Sequence, residues 1–144
     1  MKSILAEAKC WFLARLDYEG AHLLIEVTEG IVDSIPQDVS IDDVGTIGGA
    51  RPIEVTNQSR RVRVQFTNVL AYQVTDESYE NGDPGQVDGQ ILCRHSGSAY
   101  LQYVIENNLI RDLVDDPVQH YSLNLADDII EVITTTEPSI DLIL

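Results

Sequence analysis

Three histidines, His22, His95 and His120, are the side chains here that change charge near neutral pH, so a nucleophile beside one of them would be the first sign of acyl-transfer or hydrolytic chemistry. The serines stand in no G-x-S-x-G elbow, and Cys10 and Cys93 belong to no C-x-x-C or Cys/His pattern. His95 follows Cys93-Arg94 and precedes Ser96-Gly97-Ser98, a polar corner between strand and helix where a loop or capping role outweighs catalysis. No catalytic residue is assigned, and the reading leans away from an enzyme. Zinc requires close His/Cys pairs, and an EF-hand requires acids at alternate positions around a glycine. Asp76-Glu77-Ser78-Tyr79-Glu80-Asn81-Gly82-Asp83 misses that spacing, so a solvated loop is preferred there to an irregular calcium loop through Asp76, Glu80 and Asp83. Gly45-Thr46-Ile47-Gly48-Gly49 has neither the dinucleotide spacing nor a Walker lysine. No metal and no cofactor are expected.

Two other sets of side chains invite a binding role. Tyr72, Arg94, His95, His120 and Tyr121 could line a pocket inside a barrel, because a barrel interior can house a ligand with few sequence marks. The blander role for Tyr72 and Tyr121 is on the inner face of a sheet, with their hydroxyls tied to loops. The acids form the second set: the formal net charge is -15, from 24 Asp and Glu against 9 Lys and Arg. Such a field repels phosphate backbones and anionic lipid, so neither nucleic acid nor membrane is expected as a partner. Residues 112 to 144 hold eight acids and no Lys or Arg, whereas Arg60, Arg61 and Arg63 cluster. A solubility surface is the simplest account of this imbalance, and a docking face for a basic protein partner is the functional one. Its candidate residues are Asp112, Asp115, Asp116, Asp127, Asp128 and Glu131, with Asp76, Glu77, Tyr79, Glu80 and Asp83 as a second surface.

The elements that must position these groups are mostly strands. Arg61-Val62-Arg63-Val64-Gln65-Phe66 alternates with Val62, Val64 and Phe66 on one face, and Leu23, Ile25 and Val27 repeat that period. Cys10 to Leu16, turning at Tyr18-Glu19-Gly20, makes a first hairpin with the Leu23 strand. Arg51 to Thr56 reads as a strand with Ile53 and Val55 inward, Val69 to Val74 and Gln90 to Arg94 as two more, and the segment from Asp33 to Ala50 as a long connection. A second hairpin joins His120 to Leu125 with Ile129 to Thr134, and Ile140 to Leu144 docks last. Ser98 caps a helix from 98 to 110, on whose apolar face Leu101, Val104, Ile105 and Leu109 recur. The expectation is a single mainly β domain over 1–144, a β-sandwich or partly open barrel of about seven or eight strands with one α-helix near 98–110. With two separated cysteines and no export or membrane segment, a reduced cytoplasmic protein is expected.

Phe66-x4-Ala71-Tyr72-x-Val74-x-x-Glu77-Ser78-Tyr79 and His120-Tyr121-x-Leu123-x3-Asp127-x-Ile129-Ile130-Glu131-Val132-Ile133 together resemble the signature of a family of small, functionally uncharacterised bacterial proteins, over roughly the C-terminal half of the chain. Some members of that family look like immunity proteins of toxin systems, and the resemblance implies no catalytic residue. The leading expectation is therefore a non-enzymatic acidic binding protein, in its sharpest form an immunity protein that neutralises a basic toxin. A small-molecule-binding or enzymatic β-barrel around the Tyr/His residues and a self-associating structural protein are the alternatives, and the oligomeric state is left open.

Overall fold

The computed structural model describes residues 3–32, 37–41, 45–50 and 52–144, with side chains for 3–32 and 52–144. Parts of the long connection expected from Asp33 to Ala50, at 33–36 and 42–44, and Arg51 at the start of the expected strand to Thr56, lie outside the described residues. After a 3-10 turn at Ile4–Glu7, strand β1 (Trp11–Glu19) pairs antiparallel with β2 (His22–Glu29). Their connection is the two-residue turn Gly20-Ala21, with φ of 56° and 63°. A two-residue hairpin that follows the right-handed twist of its strands needs positive φ at both positions. Glycine supplies it freely, while Ala21 holds a conformation that its Cβ disfavours.

The next pairs are short: β3 (Ile31–Val32) lies against β6 (Ile53–Glu54), with β4 (Gln37–Ile41) and β5 (Gly45–Ala50) paired between them. Ile53 and Val55, expected inward, are exposed because β6 joins neither large sheet and finds no core to face. The chain then runs through β7 (Arg61–Phe66), β8 (Val69–Asp76), β9 (Gln86–Gly89) and β10 (Leu92–Ser96), the helix α1 (Ala99–Glu106), a helical turn α2 (Ile110–Leu113), β11 (Gln119–Asn124), β12 (Asp128–Thr134) and β13 (Ser139–Leu142). The helix expected to reach 110 breaks at Asn107-Asn108, where both side-chain amides bond back to the carbonyls of Tyr103 and Val104 and close off the last turn.

Two large antiparallel sheets result, one in the order β1-β2-β7-β13 and one in the order β8-β12-β11-β10-β9. The protein is mainly β, and no barrel closes among the described residues. One apolar cluster draws on the inner faces of both sheets, with Trp11, Leu23, Ile25, Val62, Val64 and Phe66 from the first and Leu92, Tyr121, Leu123, Ile130 and Val132 from the second. Phe66 and Tyr121 meet across it with ring centroids 5.8 Å apart. Each of these side chains leaves water almost completely, at roughly 1.5–3 kcal/mol apiece for the large apolar ones, so the cluster is the main stabilising term of the fold.

The chain passes from one sheet to the other at Thr67-Asn68, where Asn68 takes a φ of 52°. The buried Thr134 hydroxyl fastens this crossing, donating to the Thr67 carbonyl at 2.7 Å and approaching that of Asn68 at 3.2 Å. Thr134→Val, which keeps the shape but removes the buried donor to these carbonyls and the acceptor of the Thr136 amide, is expected to lower the unfolding free energy by about 1–3 kcal/mol in urea titrations. Ala21→Gly is expected to raise it by about 1 kcal/mol by relieving the turn, read from the shift in denaturation midpoint.

Candidate functional site

The strand register of the five-stranded sheet decides which functional side chains can meet. Arg94 lies opposite Tyr121, Tyr121 opposite Val132, and Val132 opposite Tyr72, so these side chains form one row on the inner face. His95 opposite His120 begins the row on one side of it, and Ser122, Glu131 and Gln73 form the row on the other side, both on the outer face. Neighbours in a strand point to opposite sides, so the suggested pocket of Tyr72, Arg94, His95, His120 and Tyr121 is divided between the two faces. Tyr121 and Tyr72 belong to the core, and only the histidines reach the outer layer.

Helix α1 and the loop after β8 cover that layer. His120 is wholly buried beneath them, its ring stacked on His95 at 4.2 Å and met edge-on by Tyr100 at 5.4 Å. Ser98 Oγ accepts from the Leu101 amide at 3.1 Å as the helix N-cap and shares a hydrogen bond of 2.6 Å with His120 Nδ1. On the other side of the ring His120 Nε2 stands 3.2 Å from Glu131 Oε1, off the line of a regular hydrogen bond. On the neighbouring strand the Cys93 thiol donates to the Gln90 carbonyl and accepts from the Asn124 amide at 3.3 Å. Ser122 Oγ and His95 Nε2 share a hydrogen bond of 2.7 Å, and His95 Nδ1 is left buried without a partner among the described residues.

Above this layer opens a cleft of about 430 Å³, lined among others by Gln73, Tyr79, Asp83, His95, Tyr100, Tyr103, Asn124 and Glu131. Tyr79 and Tyr103 stand at 80% and 64% exposure. The acids of the loop act mainly on the loop itself. Asp83 accepts from the Ala99, Tyr100 and Gly85 amides, which hold its carboxyl below the usual range although burial opposes this. Asp76 caps the turn Glu77–Tyr79, and Glu80 accepts from Gly82. Gly85 admits no side chain, because a Cβ there would lie 2.3 Å from the Ser96 carbonyl oxygen. Glu131 differs, since it is half buried in the floor and its Oε2 accepts from the Gln73 amide at 2.6 Å. The bond from His120, that from Gln73 and the nearby histidines hold its carboxyl low against burial. Burial pushes the Tyr100 phenol up to about 12, with Glu131 and Tyr103 adding to the shift, so it stays protonated.

Ser98, His120 and Glu131 have the residue types of a nucleophile, base and acid relay, yet their geometry is that of a structural tie. Ser98 is 2% exposed, does not line the cleft, and spends its hydroxyl on the cap and the ring. Among the described residues no group of three or more His, Cys, Asp or Glu side chains is arranged to hold a metal ion. Of the acids singled out from sequence, Glu80, Asp83 and Glu131 reach the cleft with Tyr79, whereas Asp112, Asp115 and Asp116 are exposed on and after α2, away from it. Asp76 and Asp128 oppose each other across β8 and β12, and Glu77 and Asp127 adjoin them. Gln73, Tyr103 and Asn124 escaped the sequence reading, because a polar residue on a half-exposed strand or helix carries no local mark of a cleft. Comparison of the chain with protein-family models, curated proteins and solved structures finds no match to any of them.

The charged groups of the cleft make stability depend on pH in a definite direction. Burial, helped by the neighbouring His120, holds His95 below its ordinary value of 6.5, against the pull of Glu131 and Asp83. The unfolded chain therefore takes up that proton first, and the stability present above pH 6.5 declines as pH falls below it. The depressed carboxyls of Glu131 and Asp83 extend the decline below their ordinary values of 4.5 and 3.8. Relief of the overall negative charge acts the other way, so the readout is a difference between variants. Urea midpoints measured across pH are expected to show a step starting near 6.5 in the native chain that is absent in His95→Gln.

Proposed function

We propose that this protein is a non-enzymatic acidic binding protein that meets a basic partner with the outer, helix-covered face of its five-stranded sheet. The observation that carries this reading is the uneven pairing of charge. In the four-stranded sheet the arginines are met by acids: Arg60 bonds Glu29 and Glu7, while Arg15, Arg61 and Arg63 converge on Glu26 at 3.6, 3.6 and 3.0 Å. Beyond residue 63 the chain carries 14 acids and two arginines, Arg94 and Arg111. A field of one sign on one side of a molecule speeds encounter with an oppositely charged partner, and exposed tyrosines beside it supply the contacts that slow release. Tyr79 and Tyr103, at the mouth of the cleft, are those tyrosines.

An immunity protein masking a basic toxin is the most specific form of this proposal, and its support is the pair of motifs in the C-terminal half. A cytoplasmic setting accords with the two free thiols, Cys10 and Cys93. Among the described residues no helix is long and apolar enough to cross a membrane. The cleft also favours a second reading as a small-molecule site, since its volume falls in the range of ligand pockets. Immobilised full-length protein is expected to retain a cationic protein from host extract, with retention falling steeply as salt rises and weakening about tenfold in a Tyr79→Ala, Tyr103→Ala double variant. Capture that is indifferent to salt, or capture of no cationic protein, overturns the proposal.

A further inference from the structure

We infer that the cleft is a site for one guanidinium group, an arginine side chain of the partner or a free guanidino compound, with Glu131 as its counter-charge and tyrosine rings as its walls. The inference rests on the binding reading above and extends it to a ligand chemistry. Glu26 and Glu29 meet arginines, whereas Glu131 meets the Gln73 amide and the His120 ring, and among the described residues no Lys or Arg lines the cleft. The floor of the cleft therefore holds a partly desolvated carboxylate that no guanidinium or ammonium of the described residues occupies, with lone pairs to spare.

Gln73 gives one N–H to Glu131, and Asn124 gives its amide hydrogens to Cys93 Sγ and the Gln90 carbonyl. Both residues line the cleft and carry a carbonyl oxygen able to accept. With Glu80 and Asp83 beside Glu131 and, among the described residues, no Lys or Arg in the lining, the cleft suits a cation with many N–H groups. Tyr79, Tyr100 and Tyr103 add ring faces on which a flat cation stacks. Guanidinium combines a plane, five donors and weak hydration, whereas ammonium is a compact, strongly hydrated charge that uses these features poorly.

The test is a titration of the full chain with L-argininamide, L-lysinamide and the uncharged citrulline amide, followed by calorimetry and by the NMR signals of Tyr103 and His95. Saturable binding of argininamide is expected, at least about fivefold tighter than lysinamide, with no binding of citrulline amide. Glu131→Gln should weaken it about tenfold or more and Tyr103→Ala about threefold or more, whereas Asp116→Asn, away from the cleft, should leave it unchanged. Because Tyr103 is exposed, its variant keeps the test decisive even if Glu131→Gln unfolds. Absence of saturation, equal affinity for lysinamide, or equal weakening by Asp116→Asn overturns the inference. Capture of a basic protein without argininamide binding would refute this site and leave the binding reading standing. Argininamide binding without any captured basic protein would do the reverse.

Discussion

Strand β11 is buried on both faces, and the remainder of the molecule is arranged around that constraint. Tyr121 and Leu123 close the apolar core against the four-stranded sheet, while His120 and Ser122, one residue removed, enter a polar layer on the opposite side. An antiparallel sheet can leave one face to water, but a central strand carrying a fully buried histidine cannot, because an unpaired ring nitrogen in the interior costs about as much as a lost hydrogen bond. Helix α1 answers that need. Its N-cap serine supplies the partner for His120, so the hydroxyl that caps the start of the helix also holds it on the sheet.

The polar layer is tied at both ends to backbone groups. The Leu101 amide holds Ser98, which meets His120, and the Gln90 carbonyl holds Cys93, beside which Ser122 meets His95. Glu131 borders this layer with the Gln73 amide and the His120 ring as its contacts, and among the described residues no Lys or Arg lines the cleft. The negative character of the cleft thus depends on where the acids stand relative to the arginines as well as on charge count. In the four-stranded sheet the same residue type has a different outcome, since Glu26 is enclosed by three arginines and has no charge to offer.

Local pattern made much of the scaffold legible. Alternation at Val62, Val64 and Phe66 and at Leu23, Ile25 and Val27 marks inward faces that the structure keeps, and the hairpin around Ala126-Asp127-Asp128 lies where its turn residues place it. The Ser98 cap was equally readable, because its partner is three residues away. The strand around Ile53 shows the limit of that logic. Alternation says which residues share a face, and only a neighbouring sheet makes that face a core.

The sequence by itself determined the mainly β class, the capped helix near residue 98, the strong negative charge and the lack of catalytic motifs, all of which depend on composition or on residues a few positions apart. Tertiary structure alone decided that Gln73, His95, Ser122, Asn124 and Glu131 share one outer face, that Tyr121 does not join His120 there, and that a loop fastened by Asp83 walls the cleft. The reason is physical. A site assembled from the register of several strands depends on pairings between residues far apart in the chain, such as Gln73 and Glu131, 58 positions apart, and such pairings are set by which sheet faces must be buried together.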